Sequence, residues 1–149
     1  MAKFIYKMQN LLSIKLKLEE QAKNAFGEAR ARLNQEEEKL SMLEEQKQGY
    51  ERQLSESIAG KLNIREIRQT EEAVEIMKYK IRMQSIAVTT AMQQLELARV
   101  KLNEAIQERK IQENLREQAF LTFMEELKAE EQKEVDERVS FMYRDSEEE

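Results

Sequence analysis

Six aliphatic residues stand seven positions apart in the second half of the chain, and this repeat restricts the possible folds more than any other feature. They are Ile67, Val74, Ile81, Val88, Leu95 and Leu102. Apolar residues also follow three positions later, at Met77, Ala91, Ala98 and Ala105. A heptad repeat sustained in this way is typical of a helix that packs along another helix. The second half therefore predicts a coiled coil.

The first half carries a similar but less regular row. Its members are Phe4, Met8, Leu11, Leu18, Ala22, Ala25 and Ala29, followed by Leu33, Leu40, Leu43, Tyr50 and Leu54. Lys15, Glu36 and Lys47 interrupt the row with charged side chains. The two successive steps of four that end at Leu33 predict a stutter, which locally unwinds a supercoil.

Between the two rows, the segment around Gly60 predicts a turn. Glycine costs about 1 kcal/mol relative to alanine inside a helix and suits a left-handed C-terminal cap. Asn63 followed by Glu66 resembles a capping box at the start of a second helix. A stop signal and a start signal so close together favour a reversal of the chain, while a kinked continuous helix remains the alternative.

A reversal about Gly60 brings the two rows into register. It pairs Leu54 with Ile67, Leu40 with Ile81, Leu33 with Val88, Ala22 with Ala98 and Leu18 with Leu102. The sequence therefore predicts an all-α fold, a single antiparallel two-helix coiled-coil hairpin over residues 1–149. We expect a first helix at about 3–58, a turn at 59–63, a longer second helix at 64–141 and an acidic tail at 142–149. Within that tail, Glu147 to Glu149 are expected to be disordered.

The second helix is expected to outrun the first. When the chain is reversed about Gly60, the first arm ends opposite about residue 120, and Arg116 lies opposite Phe4. Beyond that point apolar residues recur at roughly helical spacing with no facing arm to cover them: Phe120, Met124, Leu127, Val135, Val139 and Met142. An apolar stripe without an internal partner usually marks a surface for another protein. Local folding back or self-association are the alternatives.

Composition excludes most kinds of chemistry. The chain has no cysteine and no histidine, and its net charge is −5, so we expect no thiolate or imidazole catalysis, no metal site, no cofactor and no nucleic-acid partner. A two-helix seam also offers no concave pocket for an active site. Because no stretch approaches the roughly 20 apolar residues that cross a bilayer, and lysines interrupt the N-terminal region, we expect a soluble protein without membrane insertion.

Several stretches resemble the flagellar export protein FliJ. They are the opening "MAKFIYKMQNLLSIKLKLEEQAK", the middle "EEEKLSMLEEQKQGYERQL", the glycine-containing break and the following "EEAVEIMKYKIRMQ". The resemblance implies a non-catalytic, cytoplasmic protein of the flagellar type III export apparatus, peripheral at the membrane, whose hairpin is similar to the stalk of rotary ATPases. It implies a stalk and general chaperone that links and stimulates the hexameric ATPase FliI and reaches the export gate protein FlhA, with FliH and export chaperones as further partners. The equivalent stalk of a virulence-type injectisome and a generic coiled-coil scaffold are the alternatives.

The resemblance also implies two binding surfaces. Near the hairpin tip, the family's gate-binding positions correspond here to Leu43, Tyr50 and Met77, although these residues could instead line the seam. The chain departs from the family pattern at Gln46, Ala73 and Lys80. At the other end, we expect ATPase contacts from Phe4, Met8, Leu11, Leu18, Phe120, Met124 and Leu127.

Overall fold

The computed structural model describes residues 2–60 and 63–148, and nearly all of them lie in two α-helices. Helix α1 spans Gln9–Ala59 (51 residues) and helix α2 spans Ile64–Glu148 (85 residues). The sequence has no proline and is rich in Glu, Lys, Gln, Leu and Ala, which are strong helix formers. The two helices pack against each other, so the predicted all-α, two-helix coiled-coil fold with a longer second helix is confirmed.

Contacts divide the chain into two compact units. The turn unit is Gln21–Asn103, and the terminal unit combines Met1–Glu20 with Glu104–Glu149. Each unit contains a segment of α1 and a segment of α2, which pack side by side.

The helix ends differ from the expected boundaries. Helix α1 begins at Gln9 rather than near residue 3, and the Gln9 amide donates to the Tyr6 carbonyl oxygen at 3.2 Å. Phe4 stands before the helix because its ring packs on two phenylalanines of α2, as described below. Helix α2 continues to Glu148, so residues 142–148 of the predicted acidic tail are helical, including Glu147 and Glu148, for which disorder was expected. The glutamates and arginine of residues 142–148 have good helix propensity, which extends the helix without any packing partner. Glu149 lies outside the described residues.

The chain reverses between Ala59 and Ile64, and residues 61 and 62 of the predicted turn lie outside the described residues. The Asn63 Oδ1 accepts a hydrogen bond from the Arg65 amide at 3.2 Å, which confirms Asn63 as the N-cap of α2. The left-handed conformation predicted for Gly60 is wrong, because no described glycine has a positive φ. The Gly60 amide instead donates to the Glu56 carbonyl at 3.1 Å and so extends the helical bonding of α1.

In the turn unit, each helix presents an unbroken heptad row to the other helix. The half-buried row of α1 is Ala22, Phe26, Ala29, Leu33, Glu36, Leu40, Leu43, Lys47, Tyr50, Leu54 and Ser57. The facing row of α2 is Ile67, Thr70, Val74, Met77, Ile81, Gln84, Val88, Ala91, Leu95, Ala98 and Leu102. The heptad predicted for α2 is therefore confirmed.

The predicted stutter in α1 is wrong. Phe26 occupies the seam position predicted for Ala25, and Ala25 is exposed. Steps of four, three and four then lead from Ala22 to Leu33 without interruption. Burying a phenylalanine ring removes far more apolar area from water than burying an alanine methyl group, so the larger side chain sets the phase of the helix.

One polar contact across the seam pins the register of the turn unit. The Gln84 side-chain amide donates to the Glu36 backbone carbonyl oxygen at 2.9 Å and also to the Glu36 carboxylate. The two residues are equally distant from Gly60 along the chain, in agreement with reversal near that glycine. This bond from the Gln84 amide holds the pKa of Glu36 below its ordinary value; desolvation opposes the shift and Lys39, at 3.5 Å, adds to it. The ionised form of Glu36 therefore favours the folded state.

We expect this contact to be visible in the pH dependence of stability. Because the pKa of Glu36 is lowered on folding, its contribution is present above the ordinary value of 4.5 and is lost as the pH falls through the lowered folded value. Glu36→Gln should therefore lower the melting temperature at pH 7, and the difference from the parent protein should shrink towards pH 3. Thermal melts followed by circular dichroism from pH 7 to pH 3 measure this. The exposed neighbour substitution Glu37→Gln is the control, and a constant difference across the range would contradict the prediction.

Candidate partner-binding surfaces

An aromatic cluster joins the two ends of the chain within the terminal unit. The Phe4 ring meets the Phe120 ring edge-on, with centroids 5.2 Å apart and an interplanar angle of 80°. It also packs on Phe123, with centroids 5.4 Å apart. Edge-to-face pairs at these separations are favourable beyond the apolar area that they bury. The Phe4 ring therefore fastens the segment before α1 to α2.

Arg116 adds a cation to this cluster. Its guanidinium lies over the Phe4 ring at 6.0 Å from the centroid, and its Nε donates to the Gln9 side-chain oxygen at 3.1 Å. A guanidinium over a ring face is attracted by the negative charge at the centre of the ring. The expected position of Arg116 opposite Phe4 is thus confirmed, and a shallow groove runs beside the cluster between Ile5 and Thr122.

The start of the predicted overhang is covered rather than bare. Phe4 contacts both Phe120 and Phe123, so the expectation that Phe120 has no facing residue is wrong. The chain before α1 is not α-helical, and it places Phe4 against both Phe120 and Phe123 of α2. Beyond Leu127, every described residue is exposed, including Val135, Val139 and Met142 of the predicted stripe.

The seven residues predicted to contact the ATPase all lie in the terminal unit. Phe4, Leu11 and Leu127 are half-buried. The other four keep much of their side chains in solvent: Met8, Leu18, Phe120 and Met124. Phe4 and Phe120 touch directly, and the binding role of the set stays a prediction.

In this unit, two seam positions of α1 differ from the prediction, and in each case the buried residue is the one that follows the predicted residue. Leu12 is buried where Leu11 was expected, and Glu19 is buried where Leu18 was expected. Arg109 is the signal that could have identified Glu19 as a seam residue. It lies on the heptad row of α2, between Ala105 and Gln112. A charged residue on one row of a seam predicts an opposite charge on the other row.

Arg109 forms an ion-pair cluster in the seam of the terminal unit. It pairs with Glu19 across the seam and with Glu113 one turn later at 2.8 Å, and Lys15 pairs with Glu108 at 2.8 Å. Desolvation alone would lower the pKa of Arg109, but its hydrogen bond to Glu19 and the charges of Glu113 and Glu19 outweigh this and raise it. Arg109 therefore remains a cation, and removal of Arg109 would leave the carboxylate of Glu19 buried without its cross-seam cation.

The three predicted gate-binding residues occupy seam positions of the turn unit. Leu43 and Tyr50 are half-buried, and Met77 retains 7% of its exposure. Of the positions that depart from the family pattern, Gln46 and Lys80 are exposed and Ala73 is half-buried. Met77 therefore supports the hairpin from inside, whereas parts of Leu43 and Tyr50 are accessible to a partner.

Comparison with known proteins agrees with this architecture. Residues 4–148 match the family model described as flagellar FliJ protein. The chain belongs to the FliJ family. This membership assigns it to the non-catalytic coiled-coil proteins of type III export.

A solved structure has the same fold as this FliJ-family chain. It is described as a YscO homolog, CT670 of Chlamydia trachomatis, with a TM-score of 0.74, 22% sequence identity and 99% of each chain covered. A search of curated proteins gave no significant match. Across residues 2–60 and 63–148, neither helix has a segment long and apolar enough to cross a membrane.

The ion-pair cluster gives a stability prediction for this FliJ-family protein. Arg109→Ala should lower the melting temperature clearly, because the carboxylate of Glu19 loses its cross-seam cation. The double variant Glu19→Leu/Arg109→Leu should recover much of the loss, since it replaces both charges with apolar groups that can pack in the seam. The control is Arg99→Ala, which removes an exposed pair with Glu96 and should change stability little. A double variant less stable than Arg109→Ala would contradict this account.

Proposed function

We propose that the protein is a stalk of a type III export apparatus that binds the export ATPase through its terminal unit and the export gate through its turn unit. The observation that carries the proposal is the family match over residues 4–148, combined with a separate candidate surface in each unit. The stalk is cytoplasmic and peripheral at the membrane in this proposal, and it acts by organising partners rather than by catalysis.

The terminal unit is suited to contact an ATPase ring. It carries exposed apolar side chains on several sides, among them Met8, Leu18 and Met124. Further along α2, Val135, Val139 and Met142 are 49%, 59% and 70% exposed. Exposed apolar groups of this number usually mark a surface that another protein covers. Contacts distributed around a helix can meet several subunits that surround it.

The turn unit supplies the second surface. Half-buried Leu43 and Tyr50 lie one helical turn before and after the exposed Gln46 of α1, so a gate protein would meet an apolar edge beside a polar group. Apolar centres with polar rims are the usual composition of protein interfaces. A chain with one surface for the ATPase and another for the gate can couple the two, and it can also escort FliH or export chaperones as a general chaperone.

We assign the export apparatus to the flagellum because the matched family model is that of the flagellar protein. The equivalent stalk of an injectisome is the second candidate, favoured by the fold shared with the YscO homolog. Deletion of the gene separates the two functions. Loss of flagellar filaments with intact effector secretion supports the flagellar assignment, and the opposite result supports the injectisome.

The terminal unit can be tested by truncation after Gln118. This change removes Phe120, Phe123 and the exposed part of α2, so it should abolish stimulation of ATP hydrolysis by the purified export ATPase. Binding of the gate's cytoplasmic domain should persist, because the turn unit is unchanged. Phe4→Ala/Phe120→Ala tests the cluster alone, and Phe141→Ala is the control for loss of an exposed aromatic ring. Full stimulation by the truncated protein would refute the ATPase assignment.

The gate surface can be tested by comparing an accessible residue with a buried one. Tyr50→Ala should weaken binding to the gate's cytoplasmic domain, whereas Met77→Ala should leave the affinity of the folded protein unchanged. Met77→Ala should instead destabilise the protein by about 2–3 kcal/mol, as expected for truncation of a buried methionine. Titration calorimetry at low temperature and thermal melts separate the two effects. Unchanged gate affinity in Tyr50→Ala would count against the assignment.

A further inference from the structure

The segment before α1, residues 2–8, packs on α2 without belonging to either helix. We call these residues the strap. Phe4 and Tyr6 are half-buried, and the rest of the strap is exposed. The Phe4 ring packs on Phe120 and Phe123, with centroids 5.2 Å and 5.4 Å apart. The strap therefore covers part of an aromatic face of α2.

The face under the strap has the spacing of a row that receives a helix. Phe120, Phe123 and Leu127 follow one another at steps of three and four, as apolar residues do where one helix packs along another. The strap is not helical, so it cannot fill such a row layer by layer. A groove of about 420 Å³ remains open, with Ile5 of the strap on one side and Thr122 of α2 on the other. A helix of a partner protein would cover this face more completely than the strap does.

Few contacts hold the strap in place. Within residues 2–60 and 63–148, no backbone hydrogen bond joins the strap to α2. The Arg116 guanidinium lies 6.0 Å from the centre of the Phe4 ring, at the outer limit for a cation–π contact. A segment with few buried apolar contacts opens at a small part of the free energy of global unfolding. The strap can therefore leave α2 while the rest of the protein stays folded.

A buried polar atom close to the strap along α2 also favours opening. The Gln112 side-chain oxygen is buried and has no hydrogen-bond partner among the described residues. Gln112 stands one helical turn before Arg116, on the row of α2 that also contains Arg109. A buried acceptor without a partner opposes closure of the seam around it, because water satisfies the acceptor when the seam opens. The closed arrangement is therefore held less tightly at this end of the seam.

We propose that the strap is an autoinhibitory contact. It occupies the aromatic face of α2 in the free protein, and it must leave before the export ATPase can pack on Phe120 and Phe123. This inference rests on the proposed function, in which the terminal unit binds the ATPase. A protein that binds only with its strap open has an apparent affinity reduced by the open fraction. Release of the strap should therefore raise the affinity for the ATPase without adding any contact.

The first test releases the strap in the full-length protein. Phe4→Ala removes the ring that packs on α2 and leaves α2 unchanged. Half-maximal stimulation of ATP hydrolysis by the purified export ATPase should then need at least about threefold less protein than in the parent. Trypsin should also cut the free protein after Lys7 faster than it cuts the parent, as followed by mass spectrometry. The control is Ile5→Ala, a strap residue that is 77% exposed, which should change neither measurement.

The second test locks the strap on α2. The chain has no cysteine, so Ile5→Cys/Thr122→Cys can be joined selectively across the groove by a short bifunctional maleimide with a central disulfide. The joined protein should need at least about threefold more protein for half-maximal stimulation, and reduction of the linker should reverse the effect. The same variant before joining and the parent treated with the reagent are the controls. A defect in folding cannot produce recovery on reduction.

The outcomes separate the strap from the proposed function. Equal stimulation by the parent, Phe4→Ala and the joined protein would overturn the strap and leave the proposed function standing. Weaker stimulation by Phe4→Ala would also overturn it, because Phe4 would then contact the ATPase directly. Tryptic cleavage that Phe4→Ala leaves unchanged would count against the strap as well. Absence of stimulation by every form would refute the proposed function and the inhibitory role with it, whereas stimulation by Phe4→Ala alone would support both.

Discussion

The seam between the two helices is the interaction on which the rest of the structure depends. Two helices bury one stripe each and enclose no core, so few side chains can leave water completely. Among the described residues, only Leu12, Val74, Met77 and Ala91 are buried apolar side chains. Stability must therefore come from many half-buried contacts repeated along two long helices. This constraint leaves most of the surface available for partners.

A seam built from repeated apolar layers has a register problem, because a shift by one heptad would restore similar layers. Polar layers remove this ambiguity. Glu36 meets Gln84 in the turn unit, and Glu19 meets Arg109 in the terminal unit. A shift would leave these groups buried without their partners on the opposite helix, which costs more than an apolar mismatch. Charged residues in the seam thus make register specific at some cost in stability.

The exposed surfaces explain how a member of a non-catalytic family can have a function. The aromatic cluster around Phe4 holds the segment before α1 against α2. The exposed part of α2 beyond Leu127 offers apolar side chains that nothing in the described chain covers. FliJ-family membership agrees with a protein that acts through binding, because each of these surfaces has the composition of an interface rather than of a pocket.

The sequence by itself determined the two helices, the heptad of α2 and the N-cap at Asn63, because helix propensity, apolar spacing and capping are local properties. Only the tertiary structure decided which of two adjacent residues faces the partner helix, as with Phe26 beside Ala25 and Glu19 beside Leu18. That choice depends on packing between the helices: the larger side chain, Phe26, takes the seam position in one case, and Glu19 meets Arg109 in the other. The start of α1 was decided in the same way. Helix propensity would continue it towards residue 3, but Phe4 packs on Phe120 and Phe123, and the residues before Gln9 are not helical.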